Sequence, residues 1–246
     1  PLGAELKLNI FKKDSSFVTA SQSAKLIYQL NSKNSIAVGI HAETSNNLLD
    51  NAIISINDYR SVFYIINYSY IKPQRLDALF PVNFLFDITA GTGRRTIDNL
   101  REKQTRFNID TYKIFNLNDR NSIYTRFTGS ILSSDNYLDN ELFRFGGINS
   151  IRGFAENSLL ANLYTVINTE YRYRISNNFF VHSVLDAAYF ENKNALTKEK
   201  LFGFGFGFGL FTNAGLFKFT YSGGKIENQM FKLSDSKIHI SLTTSF

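Results

Sequence analysis

Polar and apolar residues alternate along much of the chain with the period of two that separates the two faces of a β-strand. The C-terminal stretch KIHISLTTSF shows this clearly, because Ile238, Ile240 and Leu242 share one face while His239 and Ser241 share the other. The alternation predicts twelve strands, at residues 4–12, 17–31, 34–45, 61–72, 82–93, 104–116, 121–133, 161–175, 178–191, 200–212, 214–225 and 237–246.

Many of these strands reach the roughly 9–11 residues that a tilted strand needs to cross a membrane. Their polar faces carry charges such as Glu170, Arg172, Asp186 and Lys218, which a soluble β-sandwich could not bury in a dry core. The pattern predicts an all-β fold, a transmembrane antiparallel β-barrel with apolar side chains outside and polar ones in the lumen. Around Thr111 the alternation slips phase, which predicts a bulge or an early strand end.

The connections between the predicted strands mostly alternate between long and short. We expect long loops at 46–60, 94–103, 134–160 and 226–236 and tight turns at 32–33, 176–177 and 212–214. Outer-membrane barrels place short turns on the periplasmic side and long loops outside. Two connections break this rule, because 73–81 is long where a short turn is expected and 13–16 is short where a long loop is expected.

Composition narrows the possible functions of the 246-residue chain. No window holds 18 consecutive apolar residues, which excludes a transmembrane helix, and the absence of cysteine excludes disulfides and thiolate metal sites. The net charge is +6, but the basic residues are scattered among acids, which argues against nucleic-acid binding. His41 and Ser45 do not match the His-x-Ser-Asn-Gly spacing of the twelve-stranded outer-membrane phospholipases, and no metal-ligand spacing appears, so we expect no enzyme, no metal and no cofactor.

The domain organisation is predicted to be a single barrel over residues 4–246. Residues 1–3 resemble the remnant of a cleaved affinity tag, and no signal peptide opens the chain. We therefore expect the sequence to begin partway into a longer precursor.

The long 134–160 connection contains RFGGINSIRGF at residues 144–154. If this loop folds back into the lumen, Arg152 needs a carboxylate partner, and Glu170 and Asp186 on the next two strands face inward by parity. Three glycines would permit the tight turns, namely Gly146, Gly147 and Gly153. The alternative is a solvated surface loop with an unpaired arginine.

The strand LFGFGFGFGLF carries phenylalanine on one face and only glycine on the other. The glycine stripe consists of Gly203, Gly205, Gly207 and Gly209. Glycines in a strand mark a bend or a close backbone approach. Either another segment lies flat against this part of the lumen wall, or the glycines relieve crowding and let the barrel curve.

RFGGINSIRGF resembles the loop-six motif of the BamA/TamA superfamily of outer-membrane assembly and two-partner-secretion barrels. Its Arg-Gly-Phe core matches Arg152, Gly153 and Phe154, preceded by a Gly-Gly pair. The resemblance implies that Arg152 docks in the lumen against acids at the positions of Glu170 and Asp186, and that these residues brace the barrel.

Other stretches carry the same resemblance. LDAAYF is similar to a strand motif of the superfamily, with Ala188 where glycine is usual, and LFPVNFLFDI is similar to the start of a superfamily strand. The C-terminal Phe246 resembles the end of the signal that the assembly machinery reads.

The superfamily barrel normally has sixteen strands and is preceded by periplasmic POTRA domains, whereas the sequence predicts twelve strands and no POTRA domain. We expect either a truncated barrel or a smaller relative. In a truncated barrel the 237–246 strand would have to close on a new partner near Leu6–Ile10.

The resemblance implies a Gram-negative outer-membrane barrel that acts on client polypeptides by strand-edge templating or export rather than by chemistry. Its implied partners are outer-membrane lipid and upstream POTRA domains or an attached enzyme domain. One alternative is the membrane anchor or export barrel of a patatin-like phospholipase, which an upstream Gly-x-Ser-x-Gly motif would indicate. Another is a small passive pore, which a steady, large conductance would indicate.

Overall fold

The computed structural model describes residues 1–13, 16–49, 56–74, 77 and 79–244. Within these residues, twelve strands form one antiparallel sheet in which each strand pairs with the next along the chain. They are β1 Leu2–Lys13, β2 Phe17–Gln29, β3 Asn34–Asn47, β4 Tyr59–Pro73, β5 Val82–Ile97, β6 Leu100–Asn116, β7 Asn121–Ser133, then, after the short strands β8 Phe143–Phe145 and β9 Leu159–Ala161, β10 Leu163–Ser176, β11 Phe179–Asn192, β12 Thr197–Thr212, β13 Gly215–Ile226 and β14 Lys237–Thr243.

The sheet has the strands and the inside–outside pattern that the alternation predicts. Apolar side chains stand exposed on the outer face, among them Tyr64 at 68% and Phe206 at 64% exposure. Charged side chains on the opposite face are buried, with Glu170 at 2% and Asp186 at 1% exposure. This inversion of a soluble protein's pattern is the one that a barrel in lipid requires, and it confirms the predicted fold class.

Two strands remain at the edges of the sheet. In the described part of the chain, no backbone pairing joins β1 to β14. The expected pairing of the last strand with Leu6–Ile10 is therefore not observed, and Phe246 lies outside the described residues.

The prediction of a long loop at 94–103 is wrong. The pairing of β5 with β6 continues to Ile97 and Leu100, and Asp98 and Asn99 form the tight turn with φ values of 51° and 125°. Asp and Asn adopt positive φ more readily than most residues, which suits them to such hairpins. The flanking segments are charged, so their apolar alternation fades although the backbone ladder continues.

The prediction of a bulge or an early strand end at Thr111 is also wrong. Thr111 pairs in register with Phe86 and with Phe127, and its hydroxyl donates to the Leu85 carbonyl at 2.9 Å. The apolar phase changes here because Ile114 points inward, where it is 3% exposed in an apolar cluster.

Two apolar clusters lie on the inner face. One forms around the loop between β7 and β10 and contains Phe145, Ile151, Ala161, Val166, Ala188, Phe190 and Leu201. The other lies towards the opposite end of the sheet and contains Leu79, Phe80, Ile114 and Phe180. The inner face is thus filled by two segments that lie between strands. No helix in the described part of the chain is long and apolar enough to span a membrane.

The assignment of the two faces can be tested with arginine substitutions at one depth. Ile66, at the centre of β4, is 55% exposed on the outer face. Ile66→Arg should lower the free energy of unfolding in a bilayer by about 2–4 kcal/mol, since lipid cannot solvate the charge. Thr89→Arg on the inner face is the matched control, because Thr89 pairs with Asn67 at the same depth and Asp87 lies nearby. Denaturant titration followed by heat-modifiable gel mobility measures both, and equal losses would contradict the assignment.

Candidate functional site

The loop between β7 and β10 leaves the strands as the short hairpin β8–β9 and returns along the inner face of the sheet. Gly146 and Gly147 have φ values of 109° and 97°, which only glycine adopts without strain. The turn is closed by hydrogen bonds from Gly146 N to Ser150 Oγ at 2.6 Å and from Gly147 N to the Ile151 carbonyl at 3.0 Å. These turns direct Ile151 and Arg152 towards the wall of the sheet.

Arg152 is 3% exposed and lies between two carboxylates on the inner face. Asp186 on β11 accepts three hydrogen bonds from it, from the backbone N at 3.0 Å, from Nε at 2.8 Å and from Nη2 at 2.6 Å. Glu170 on β10 accepts from Nη1 through Oε1. The other oxygen of Glu170 accepts from Arg172 Nε at 2.7 Å, and Lys218 Nζ lies 3.7 Å from Oε1.

The electrostatics of this cluster keep Arg152 charged. Burial by itself lowers the pKa of the guanidinium, but the Coulombic field of Glu170 and the hydrogen bonds to Asp186 raise the pKa above its ordinary value. Charge-assisted, multidentate pairing of this kind compensates the desolvation of a buried ion. The cluster holds the loop against the wall of the sheet.

The residues after Arg152 contact the last two strands of the sheet. Gly153, with φ of 90°, donates its N–H to His239 Nε2 on β14 at 3.1 Å. A Cβ built on Gly153 would collide with the backbone of Gly223 and Gly224, and one on Gly224 would lie 2.7 Å from the Phe154 ring. The Arg-Gly-Phe triplet therefore contacts β13 and β14 in addition to β10 and β11.

The glycine stripe of β12 serves both of the purposes considered from the sequence. A Cβ on Gly203 would collide with the carbonyl oxygen of Arg152, so this glycine admits the docked loop. Cβ atoms on Gly205 and Gly207 would instead collide with the backbone of β13, and one on Gly209 with the ring of Phe180. Only the first glycine of the stripe contacts the loop, and the other three permit close packing of the wall.

A second attachment of the loop was not identified from the sequence. Glu141 accepts hydrogen bonds from Arg95 on β5 and, at 3.0 Å, from Gln104 Nε2 on β6. Arg95 is 1% exposed and also pairs with Glu102. Burial raises the pKa of Glu141 despite the opposing effect of Arg95. The loop is therefore fixed to both halves of the sheet.

The loop also contacts the strands at the N-terminal edge of the sheet. The guanidinium carbon of Arg144 lies 4.1 Å from the ring centre of Phe11 on β1 and 4.6 Å from that of Phe17 on β2. Asn140 Nδ2 donates to Ser45 Oγ on β3 at 2.9 Å. Cation–π contacts of this kind add modest stability when the cation is partly desolvated.

The pair considered for catalysis does not form a catalytic hydrogen bond. His41 Nε2 lies 3.3 Å from Arg106 Nη1 and 3.7 Å from Glu43. Ser45 Oγ instead makes hydrogen bonds with Thr19 Oγ1 at 2.8 Å and with Asn140. Among the described residues, no group of three or more His, Cys, Asp or Glu side chains could hold a metal ion.

A model of the haemolysin secretion/activation protein family ShlB/FhaC/HecB matches residues 12–210. The chain belongs to this family. The matched residues include the docked loop and both carboxylates that hold Arg152. No curated protein sequence matches the chain.

Solved structures share the fold of this ShlB/FhaC/HecB chain at low identity. BamA from Haemophilus ducreyi lacking POTRA domains 1–3 aligns with a TM-score of 0.68 and 16% identity, over 97% of this chain and 57% of the other. CdiB from Acinetobacter baumannii aligns with a TM-score of 0.60 and 16% identity, over 88% of this chain and 40% of the other. The chain thus spans about half the length of these structures. Together with the family match, they confirm the resemblance to the BamA/TamA superfamily and the outer-membrane barrel.

Some residues of the site in this ShlB/FhaC/HecB barrel were not predicted to contact the loop or its carboxylates, although strand parity indicates their position. Strand parity places Arg172, Lys218 and His239 on the inner face beside the residues that contact the loop. The pairing of Arg95 with Glu141 had no such signal, because 46 positions separate the two residues and Glu141 lies in no predicted strand.

Removal of the arginine should release the loop. Arg152→Ala leaves Asp186 buried without its partner, and breaking a buried pair costs about 3–5 kcal/mol. We expect chymotrypsin to cleave after Phe145, which is 2% exposed, of the order of 100-fold faster. Arg101→Ala, at an exposed arginine of β6, is the control. An unchanged cleavage rate in Arg152→Ala would show that the loop does not depend on this cluster.

Gly203 allows a steric test of the same contact. Gly203→Ala should also speed cleavage after Phe145, because its methyl group would occupy the position of the Arg152 carbonyl. Gly3→Ala is the matched control, since its Cβ would lie 3.9 Å from the nearest atom. Cleavage is compared only between samples with the same heat-modifiable gel mobility. If Gly203→Ala resisted chymotrypsin as the parent does, the close approach would not constrain the loop.

Proposed function

We propose that this barrel exports polypeptides across the outer membrane and that the 134–160 loop is a removable closure of its lumen. The observation that carries the proposal is the buried, multidentate docking of Arg152 within the region matched by a family of secretion/activation proteins. A polypeptide can pass only if the loop leaves the wall, so the strength of this cluster sets how readily the lumen opens.

Arg152, Gly153, Phe154, Glu170 and Asp186 are the brace in this proposal, with Gly146 and Gly147 as its turns. The contacts of Arg152 with Glu170 and Asp186 are charge-assisted, so water that enters a partly opened lumen can solvate these groups after they separate. Ile151 and Phe154 pack in the apolar cluster beside Arg152, and their exposure to water adds to the cost of opening. The brace therefore combines an ionic part that water can solvate with an apolar part that favours closure, and no step of export requires catalysis by the barrel.

A second candidate is strand-edge templating, which the edge of β14 favours, since no described strand pairs with it there. Its free N–H and C=O groups could pair with a client strand by β-augmentation. Under this alternative the client contacts the edge and not the lumen. POTRA repeats or an attached enzyme domain remain partners that the resemblance implies, and the intact mass of the native protein with its N-terminal peptides distinguishes them.

Photo-crosslinking separates the two candidates. A photoreactive residue is placed in the native, full-length protein at Thr128 on the inner face, at Ile167 on the outer face, or at Ile240, which stands on the outer face of the edge strand β14. Export predicts polypeptide adducts at Thr128 and none at Ile167, and Arg152→Ala should change the adduct yield at Thr128.

Adducts confined to Ile240 would overturn export in favour of templating. The absence of polypeptide adducts at both Thr128 and Ile240, in cells that display the protein in the outer membrane, would overturn both candidates. Ile167 is the matched control, because it lies at the same depth as Thr128 and differs only in the face on which it stands.

A further inference from the structure

The connection between β4 and β5 places three residues inside the sheet, at the end opposite the long loop. Asp77, Leu79 and Phe80 are 9%, 2% and 8% exposed. One oxygen of Asp77 accepts the backbone N–H groups of Leu79 and Phe80, each at 3.1 Å. Its other oxygen accepts from Gln74 Nε2 at 2.8 Å and from Arg174. The carboxylate thus ties the backbone of Leu79 and Phe80 to Gln74 and Arg174.

Leu79 and Phe80 pack against the wall with Ile114 of β6 and Phe180 of β11. The Phe80 ring meets the Phe180 ring edge-on, with ring centres 4.9 Å apart, a favoured geometry for aromatic pairs. This packing explains why the connection is longer than a tight turn, since Leu79 and Phe80 occupy part of the lumen.

Arg172 lies between this turn and the Arg152 cluster. Its guanidinium carbon is 4.7 Å from the ring centre of Phe80 and 4.0 Å from that of Tyr124. Its Nε donates to Glu170 Oε2 at 2.7 Å. Because Glu170 uses its other oxygen for Arg152, one continuous series of contacts runs from Phe80 through Arg172 and Glu170 to Arg152.

We propose that Asp77, Leu79 and Phe80 form a second closure of the lumen, and that Arg172 and Glu170 couple it to the loop. This rests on the proposed function for its role in export. Stacking on Phe80 and Tyr124 fixes the plane of the Arg172 guanidinium, which fixes the carboxylate of Glu170 and presents Oε1 to Arg152. When Phe80 leaves, Arg172 loses one of its stacking partners and Glu170 loses its fixed orientation.

The structure leaves room for such a movement. A pocket of about 660 Å³ lies beside Asp77 and Phe80, bordered by the turn at 117–120 and by Asn177. It opens at the mouth of the sheet opposite the long loop. A polypeptide that enters at this mouth meets Phe80 first, so its arrival loosens the loop at the other end before it reaches Arg152.

The test substitutes residues between β4 and β5 and measures chymotrypsin cleavage of the 134–160 loop. In the folded full chain, Phe80→Ala should speed chymotrypsin cleavage after Phe145 roughly 3- to 30-fold, the range expected of couplings between distant sites. Ile114→Ala is the matched control, because Ile114 packs in the same cluster but lies on β6, outside the proposed closure, and offers Arg172 no aromatic face. It should leave cleavage after Phe145 near the parent rate.

A double-mutant cycle decides whether the effect passes through Arg152. In the Arg152→Ala background, Phe80→Ala should add little to cleavage after Phe145, since the route is already broken. Phe80→Leu keeps the apolar volume and loses the aromatic face, so it should act as Phe80→Ala does even where the smaller residue impairs folding. Only samples that retain heat-modifiable mobility are compared.

Three results would overturn the coupling. They are equal effects of Ile114→Ala and Phe80→Ala, effects of Phe80→Ala and Arg152→Ala that multiply independently, and slower cleavage in Phe80→Ala. Each can occur while photo-crosslinking still supports export, because this experiment contains no client polypeptide. Conversely, a failed crosslinking experiment would leave the measured coupling intact and remove only its role in export.

Discussion

The inner face of the barrel depends on the compensation of one buried cation. Arg152 would be costly to desolvate alone, and its position is defined by the two carboxylates that accept its hydrogen bonds. Glu170 and Asp186 are in turn acceptable inside the sheet because Arg152, Arg172 and Lys218 surround them. The buried guanidinium must reach both carboxylates, and the path of the loop meets this requirement. The glycines that the loop crosses and the apolar cluster beneath it fit the same path.

The remaining contacts attach the loop to strands across the whole sheet. Glu141 attaches it to β5 and β6, Arg144 to β1 and β2, and Gly153 to β14. The loop thereby contacts both edge strands, between which the described residues show no backbone pairing. Displacement of the loop would therefore affect the edges of the sheet as well as the lumen, so both proposed functions depend on the same set of contacts.

Much of the fold could be predicted from the sequence, because alternation depends only on which face each residue occupies. The same parity placed Glu170 and Asp186 inward, on strands next to the loop. The predictions from alternation were wrong where backbone preferences or inward packing decide the local structure. Asp98 and Asn99 form a turn through their backbone preferences inside a charged stretch, and Ile114 turns inward to pack with Phe80. Contacts such as Arg95 with Glu141 depend on the curvature of the sheet, which no local pattern encodes.

Gly203 and Gly224 stand directly opposite each other on β12 and β13, and the main chain of Arg152 and Gly153 lies over them. A Cβ on either glycine would collide with a carbonyl oxygen of the loop, so this part of the contact is backbone against backbone. The side chains that must find their rotamers again when the loop returns are those on either side of Gly153, namely Arg152 and Phe154. The side-chain entropy lost on reclosure is therefore concentrated in these two residues of the loop.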